Sequence, residues 1–242
     1  MTRKFWIGVA LLAGLAVPAR AEWQFSAGLG QSWTERSDLH IAQDDADYTI
    51  DDVGWSGRGF QMPPWYDLRF TYYLPGKSGL GFTLGLLHMK AYARDGETRR
   101  VHGETPSGPV DAEVPMDDYV QKYNISHGVN YIELGVVGRL SWLRSAEFPD
   151  GRLHPYIGLA TGPVINHPEN RVGGERNSQD YETNPTWGTQ ALAGVHYRFD
   201  QHWGAYTELK RTHISTEVSV SRGTGKATLN STHLGAGVVY SF

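Results

Sequence analysis

The chain has 242 residues, 20% of them charged, and a formal net charge of −4. One compact domain fits that length, no basic excess points to nucleic acid, and the lack of cysteine excludes a disulfide scaffold, a thiolate metal site and a thiol nucleophile.

Residues 1–21 read MTRKFWIGVALLAGLAVPARA: Arg3 and Lys4, an apolar run from Phe5 to Val17, then Ala19-Arg20-Ala21 as a small-x-small cleavage site. That is the pattern of a secretory signal peptide, and the run is short of the ~20 residues a spanning helix needs. The mature domain is expected over 22–242. The mean hydropathy of the full 242-residue chain, −0.43, is that of a water-soluble protein. The local pattern points elsewhere.

From Trp23 onward the chain repeats segments of period-2 alternation with aromatic ends, joined in turn by short and long polar connections. Such alternation predicts an all-β, eight-stranded antiparallel transmembrane barrel with short periplasmic turns and long extracellular loops. The strands are expected near Trp23–Trp33, Trp65–Leu74, Leu80–Ala91, Val129–Leu143, Leu153–Ile165, Trp187–Phe199, Trp203–Ser215 and Thr228–Phe242. Short turns fall at Pro75–Gly79, Ser145–Gly151 and Asp200–His202. The long connections Thr34–Pro64, Arg94–Gly128, Asn166–Thr186 and Thr216–Ala227 are expected as outward polar loops, the second a mobile loop or lid. Localisation in the outer membrane follows, with the membrane itself as a partner.

Alternation also assigns faces. Tyr66, Leu68, Phe70 and Tyr72 would meet lipid, and Asp67, Arg69, Thr71 and Tyr73 the interior. Glu133, Arg139, Gln190, His196, Arg198, Tyr206, Glu208 and Lys210 also point inward. A barrel this narrow has no room for a pore, so these groups must pair in a packed polar interior.

Two stretches carry possible chemistry. In "GWSGRGFQMPPWYDLRF", Gly54 to Phe70, Arg58 stands among aromatic rings and two prolines at a strand entrance. Guanidinium suits bidentate phosphate contact at a headgroup surface. In "YNISHGVNYIELG", Ser126, His127 and Asn130 precede the inward Glu133. A serine hydrolase would need serine, base and carboxylate on one face, and adjacent strand residues face apart. "RGTGKAT" fails as a phosphate loop, because Val220 stands where its first glycine belongs and no helix follows.

The blocks "GWSGRGFQMPPWYDLRFTYYL", "SHGVNYIELGVVGRL" and "HPYIGLATG" resemble the outer-membrane lipid A oxidase family. Matching positions are Trp55, Arg58, Phe60, Met62, Pro63, Pro64, Tyr66, His127, Gly128 and Asn130, with Trp65 in place of a tyrosine. The resemblance implies oxygen-dependent oxidation of the proximal glucosamine of lipid A to 2-aminogluconate, with lipopolysaccharide of the outer leaflet as partner. On that reading Arg58, Trp55, Tyr66 and Asn130 bind substrate, and His127, Asp67 and Glu133 carry the chemistry. No flavin or nicotinamide fingerprint occurs. Histidine with carboxylates such as Asp67 or Glu133 is a ligand type that suits a divalent metal able to activate oxygen. The alternatives are a non-enzymatic structural or ligand-binding barrel, and a lipid A deacylase.

Overall fold

The computed structural model describes residues 22–76, 79–178, 181–182 and 185–242. The signal-peptide reading of 1–21 and part of the Pro75–Gly79 turn lie outside them. In chain order the strands are β1 (Glu22–Thr34), β2 (Ser37–Gln43), β3 (Ala46–Val53), β4 (Trp55–Ser56), β5 (Tyr66–Tyr73), β6 (Leu80–Ala93), β7 (Thr98–Thr105) and β8 (Gly108–Pro115). They continue with β9 (Val120–Arg139), β10 (Leu153–Asn166), β11 (Glu169–Val172), β12 (Glu175–Ser178), β13 (Thr186–Arg198), β14 (Trp203–Val220) and β15 (Gly223–Ser241).

Eight of these close a ring in the order β1-β5-β6-β9-β10-β13-β14-β15, and β15 pairs back to β1 from Gln24↔Ser241 to Thr34↔Ser231. Every pairing is antiparallel, so the ring leaves no open edge within the bilayer. Outward residues form an apolar band that includes Leu68, Phe70, Phe82, Leu84, Leu134, Ile157, Leu159, Leu209 and Leu234. Aromatic girdles flank it. Trp23, Trp142, Phe199, Trp203 and Phe242 lie at the short-turn end, and Trp33 and Trp187 toward the other.

The long connections differ from the expected polar loops. β14 and β15 stay paired out to Val220↔Gly223, leaving only Ser221 and Arg222 to turn the chain. Above the membrane β15 pairs with β2, and the sheet continues through β3 and β7 to β8. The acidic Arg94–Gly128 stretch, expected as a mobile loop or lid, is therefore the β7–β8 hairpin, a short 3-10 turn at Met116–Asp118 and the start of β9. The reason is burial: Leu39, Ile41, Ile50, Val101, Val120, Tyr123, Ile125 and Val218 alternate inward and pack as one apolar core.

The interior thus has two storeys. The extracellular part is apolar, and the membrane-level part beneath it is polar and charged, with Arg69, Glu133, Glu208 and Lys210 all buried.

Candidate functional site

The charged storey is a closed network. Lys210 Nζ lies 2.8 Å from Asp67, 3.2 Å from Glu133 and 3.3 Å from Glu208. Arg69 pairs with the other oxygen of Glu208 at 2.7 Å, and Gln190 donates to Glu133 at 3.0 Å. Asp67 and Glu133 are fully buried there, both turned into the lumen toward Lys210 rather than toward the membrane. Their expected place beside His127 is overturned. Their carboxylates pair with Lys210 in the barrel's interior.

Trp55 is corrected too. It is 3% exposed in the extracellular core, with its indole N–H donating to Ser37 Oγ at 2.9 Å and its ring edge-on to Tyr123. It is a packing residue.

The remaining expected site residues do converge, on the outside of the barrel. Tyr66 on β5, His88 on β6 and Asn130 on β9 are cross-strand neighbours. They stand directly above the outward Leu86–Ile132 pair that ends the apolar band on this side. The Tyr66 and His88 rings are stacked at 4.7 Å with 6° between their planes. His88 Nδ1 is 2.9 Å from Asn130 Oδ1, and the Asn130 amide donates to the Gly128 and Ile165 carbonyls.

His127 reaches the same face through a bulge. Between the pairs Met89↔Val129 and Ala91↔Ile125, β6 has one residue and β9 has three, Ser126 to Gly128. Gly128 takes φ +128°, a conformation that suits glycine, and a Cβ there would collide with the His88 ring. The bulge breaks alternation, so His127 projects outward and stacks on His167 at 4.6 Å, with Tyr181 against His167 at 4.9 Å.

It also overturns the expectation that Ser126 and His127 face apart. Ser126 Oγ is 3.2 Å from His127 Nδ1. Among the described residues no relay results, because Glu169 reaches Ser126 and Lys122, at 3.3 and 2.6 Å, and not His127. Lys122 holds the Glu169 carboxyl below the usual carboxylate range, chiefly through that hydrogen bond.

Above this cluster, the loop from Gly57 to Trp65 folds over the outer face of β6. Arg58 takes φ +44° and places its guanidinium 4.0 Å from the Tyr92 ring centre. Lys90, 2% exposed, donates to the Gln61 carbonyl at 2.7 Å and stands 5.8 Å from the same ring. Two cations therefore flank one tyrosine, and among the described residues neither is paired with a carboxylate. His88 and Lys90 escaped the sequence reading. On a regular β6 they look like two more outward positions of a membrane stave, and only the loop above reveals their role.

No group of three or more histidine or acidic side chains suited to a metal occurs among the described residues. The expected set of His127 with Asp67 or Glu133 is split by the barrel wall and does not fit a metal ion.

Fold, apolar band and girdles define an eight-stranded outer-membrane β-barrel, and the chain belongs in that membrane. Among solved structures it is similar to OprG from Pseudomonas aeruginosa, at 13% identity and a TM-score of 0.51, covering 92% of this chain and 96% of that one. Neisserial surface protein A follows at 12% identity and 0.44, with 92% and 97% covered. The outer membrane protease OmpT from Escherichia coli gives 10% and 0.43, with 93% and 97% covered. No protein-family model and no curated protein matches the sequence.

Proposed function

We propose that this barrel binds lipid A from the outer leaflet on its outer face and modifies it there. The observation that carries this is the cation pair Arg58 and Lys90, without carboxylate partners among the described residues, at the level where the apolar band ends. Two like charges held together in that position are stabilised by an anion, and the anions of that layer are the phosphates and acidic sugars of lipopolysaccharide. Tyr66 and Asn130 line the same patch, and His127 is its exposed base.

The resemblance of the motif blocks supplies the reaction: oxidation of the proximal glucosamine to 2-aminogluconate. In chemical terms, C1 of the free hemiacetal gives up two hydrogens to dioxygen, forming a lactone and hydrogen peroxide. Water then opens the lactone, so the product gains one oxygen. In this reading the exposed Arg58 holds the headgroup, the buried Lys90 adds its charge from beneath the loop, and His127 accepts the proton of the C1 hydroxyl. Asp67 and Glu133 take no part.

Mass spectrometry of lipid A from cells with and without the gene tests this. A gain of one oxygen on the proximal sugar is the expected result. Loss of an acyl chain would replace the oxidase by a deacylase, and an unchanged spectrum by a non-catalytic ligand-binding barrel.

A further inference from the structure

Met62 and Phe60 are the most exposed large apolar side chains among the described residues, at 85% and 76%. Neither lies on a stave. Both project from the loop that carries Arg58, Phe60 two and Met62 four residues beyond it.

The loop is held rigidly, so this exposure is built in. Gly59 N–H donates to Gln31 Oε1 at 2.9 Å, Gln61 N–H to the Arg58 carbonyl at 3.0 Å, and Trp65 N–H to the Gly59 carbonyl at 2.6 Å. Lys90 clamps the middle of the loop through the Gln61 carbonyl. At the loop's end the Trp65 side chain is anchored inside the barrel, its indole N–H donating to His233 at 3.0 Å. Fixing a phenylalanine and a methionine in water would be unfavourable, whereas beside the apolar band they meet hydrocarbon.

We propose that the Gly57–Trp65 loop is a membrane-inserted wedge, whose Phe60 and Met62 pack against the acyl chains of the lipid whose headgroup Arg58 holds. The ligand is then an acylated anionic amphiphile that arrives within the plane of the bilayer, and a free sugar phosphate lacks half of what the loop reads. This rests on the lipid A reading for the identity of the headgroup. Insertion of the loop does not.

The chain has no cysteine, so Met62→Cys gives a single attachment point for a nitroxide. The labelled barrel is reconstituted in phosphatidylcholine vesicles with and without lipid A. Collision with oxygen should be frequent and collision with a water-soluble nickel chelate rare in both, whereas a label at Ser107→Cys, on the β7–β8 turn, should show the reverse. A Met62 label as open to nickel as the Ser107 label overturns the wedge, and leaves the headgroup site standing.

In parallel, Phe60→Gln/Met62→Gln should weaken retention of lipid A by the detergent-purified barrel about tenfold or more, as expected for two apolar side chains losing hydrocarbon contact. Unchanged retention by that variant, with the barrel folded, also overturns the wedge.

Discussion

The ring of Tyr66 lies 4.7 Å from that of His88 and almost parallel to it, while His88 bonds Asn130 on the next strand. Three neighbouring staves thus contribute one side chain each to a single outward-facing surface. The stack fixes the His88 ring in the one place where Gly128, lacking a side chain, leaves room for it.

Gly128→Ala should break that arrangement. The added methyl displaces His88, and the left-handed backbone becomes strained by about 1–3 kcal/mol. Lipid A modification should fall sharply, while the heat-modifiable band of the folded barrel persists on gels. A variant that folds and modifies lipid A at the normal rate would remove His88 and its neighbours from the site.

Lys210 contacts three buried carboxylates, one of them shared with Arg69. Lys210→Met leaves them undercompensated and should lower stability by roughly 3–5 kcal/mol, the range for breaking a buried pair from one side. Urea titration of barrel refolded in detergent measures it. Asp67→Asn should keep the modifying activity in whatever fraction folds. Loss of activity in a fully folded Asp67→Asn barrel would return the chemistry to the lumen.

Ile41 is fully buried in the extracellular core. Ile41→Ala should cost roughly 2–4 kcal/mol through lost burial and the cavity left behind. It should also speed proteolysis of the β2–β3 and β7–β8 hairpins while the membrane staves stay protected. Equal protease resistance would mean that these strands do not depend on the core.

The Glu169–Lys122 contact carries a pH dependence of known sign. Because the folded carboxyl sits below its ordinary range, the contact stabilises β11 against β9 above the ordinary glutamate pKa, and that contribution is lost as pH falls through the lowered value. In hydrogen exchange, β11 amides should lose protection at acid pH in the native chain. The loss should be absent in Glu169→Gln, and an identical acid response in both would contradict the assignment.

The membrane-level fold was open to reading because lipid on one side and a polar lumen on the other force strict alternation, as in Tyr66 to Tyr73. The extracellular strands carry the same signal: Leu39 and Ile41, then Tyr48 and Ile50, alternate either side of the Asp44-Asp45 turn. Their acidic residues, all on the solvent face, masked it. At the candidate site, the outer-rim positions of Arg58, Tyr66, Asn130 and His127 were legible from residue type and position. Asp67 and Glu133 were read correctly as inward, but alternation gives a residue's face and not its partners, so their separation from His127 was not legible. His127 faces outward only because of the bulge that ends at Gly128, and its glycine was the local hint.

The central claim is that Arg58, with the charge of the buried Lys90 behind it, forms an anion site for a membrane lipid. Native mass spectrometry of detergent-purified barrel mixed with lipid A tests it most directly, comparing the natural chain with Arg58→Gln/Lys90→Gln. The natural chain should carry a bound lipid A that the double variant, still folded, has lost. Equal occupancy of the two proteins would contradict the account.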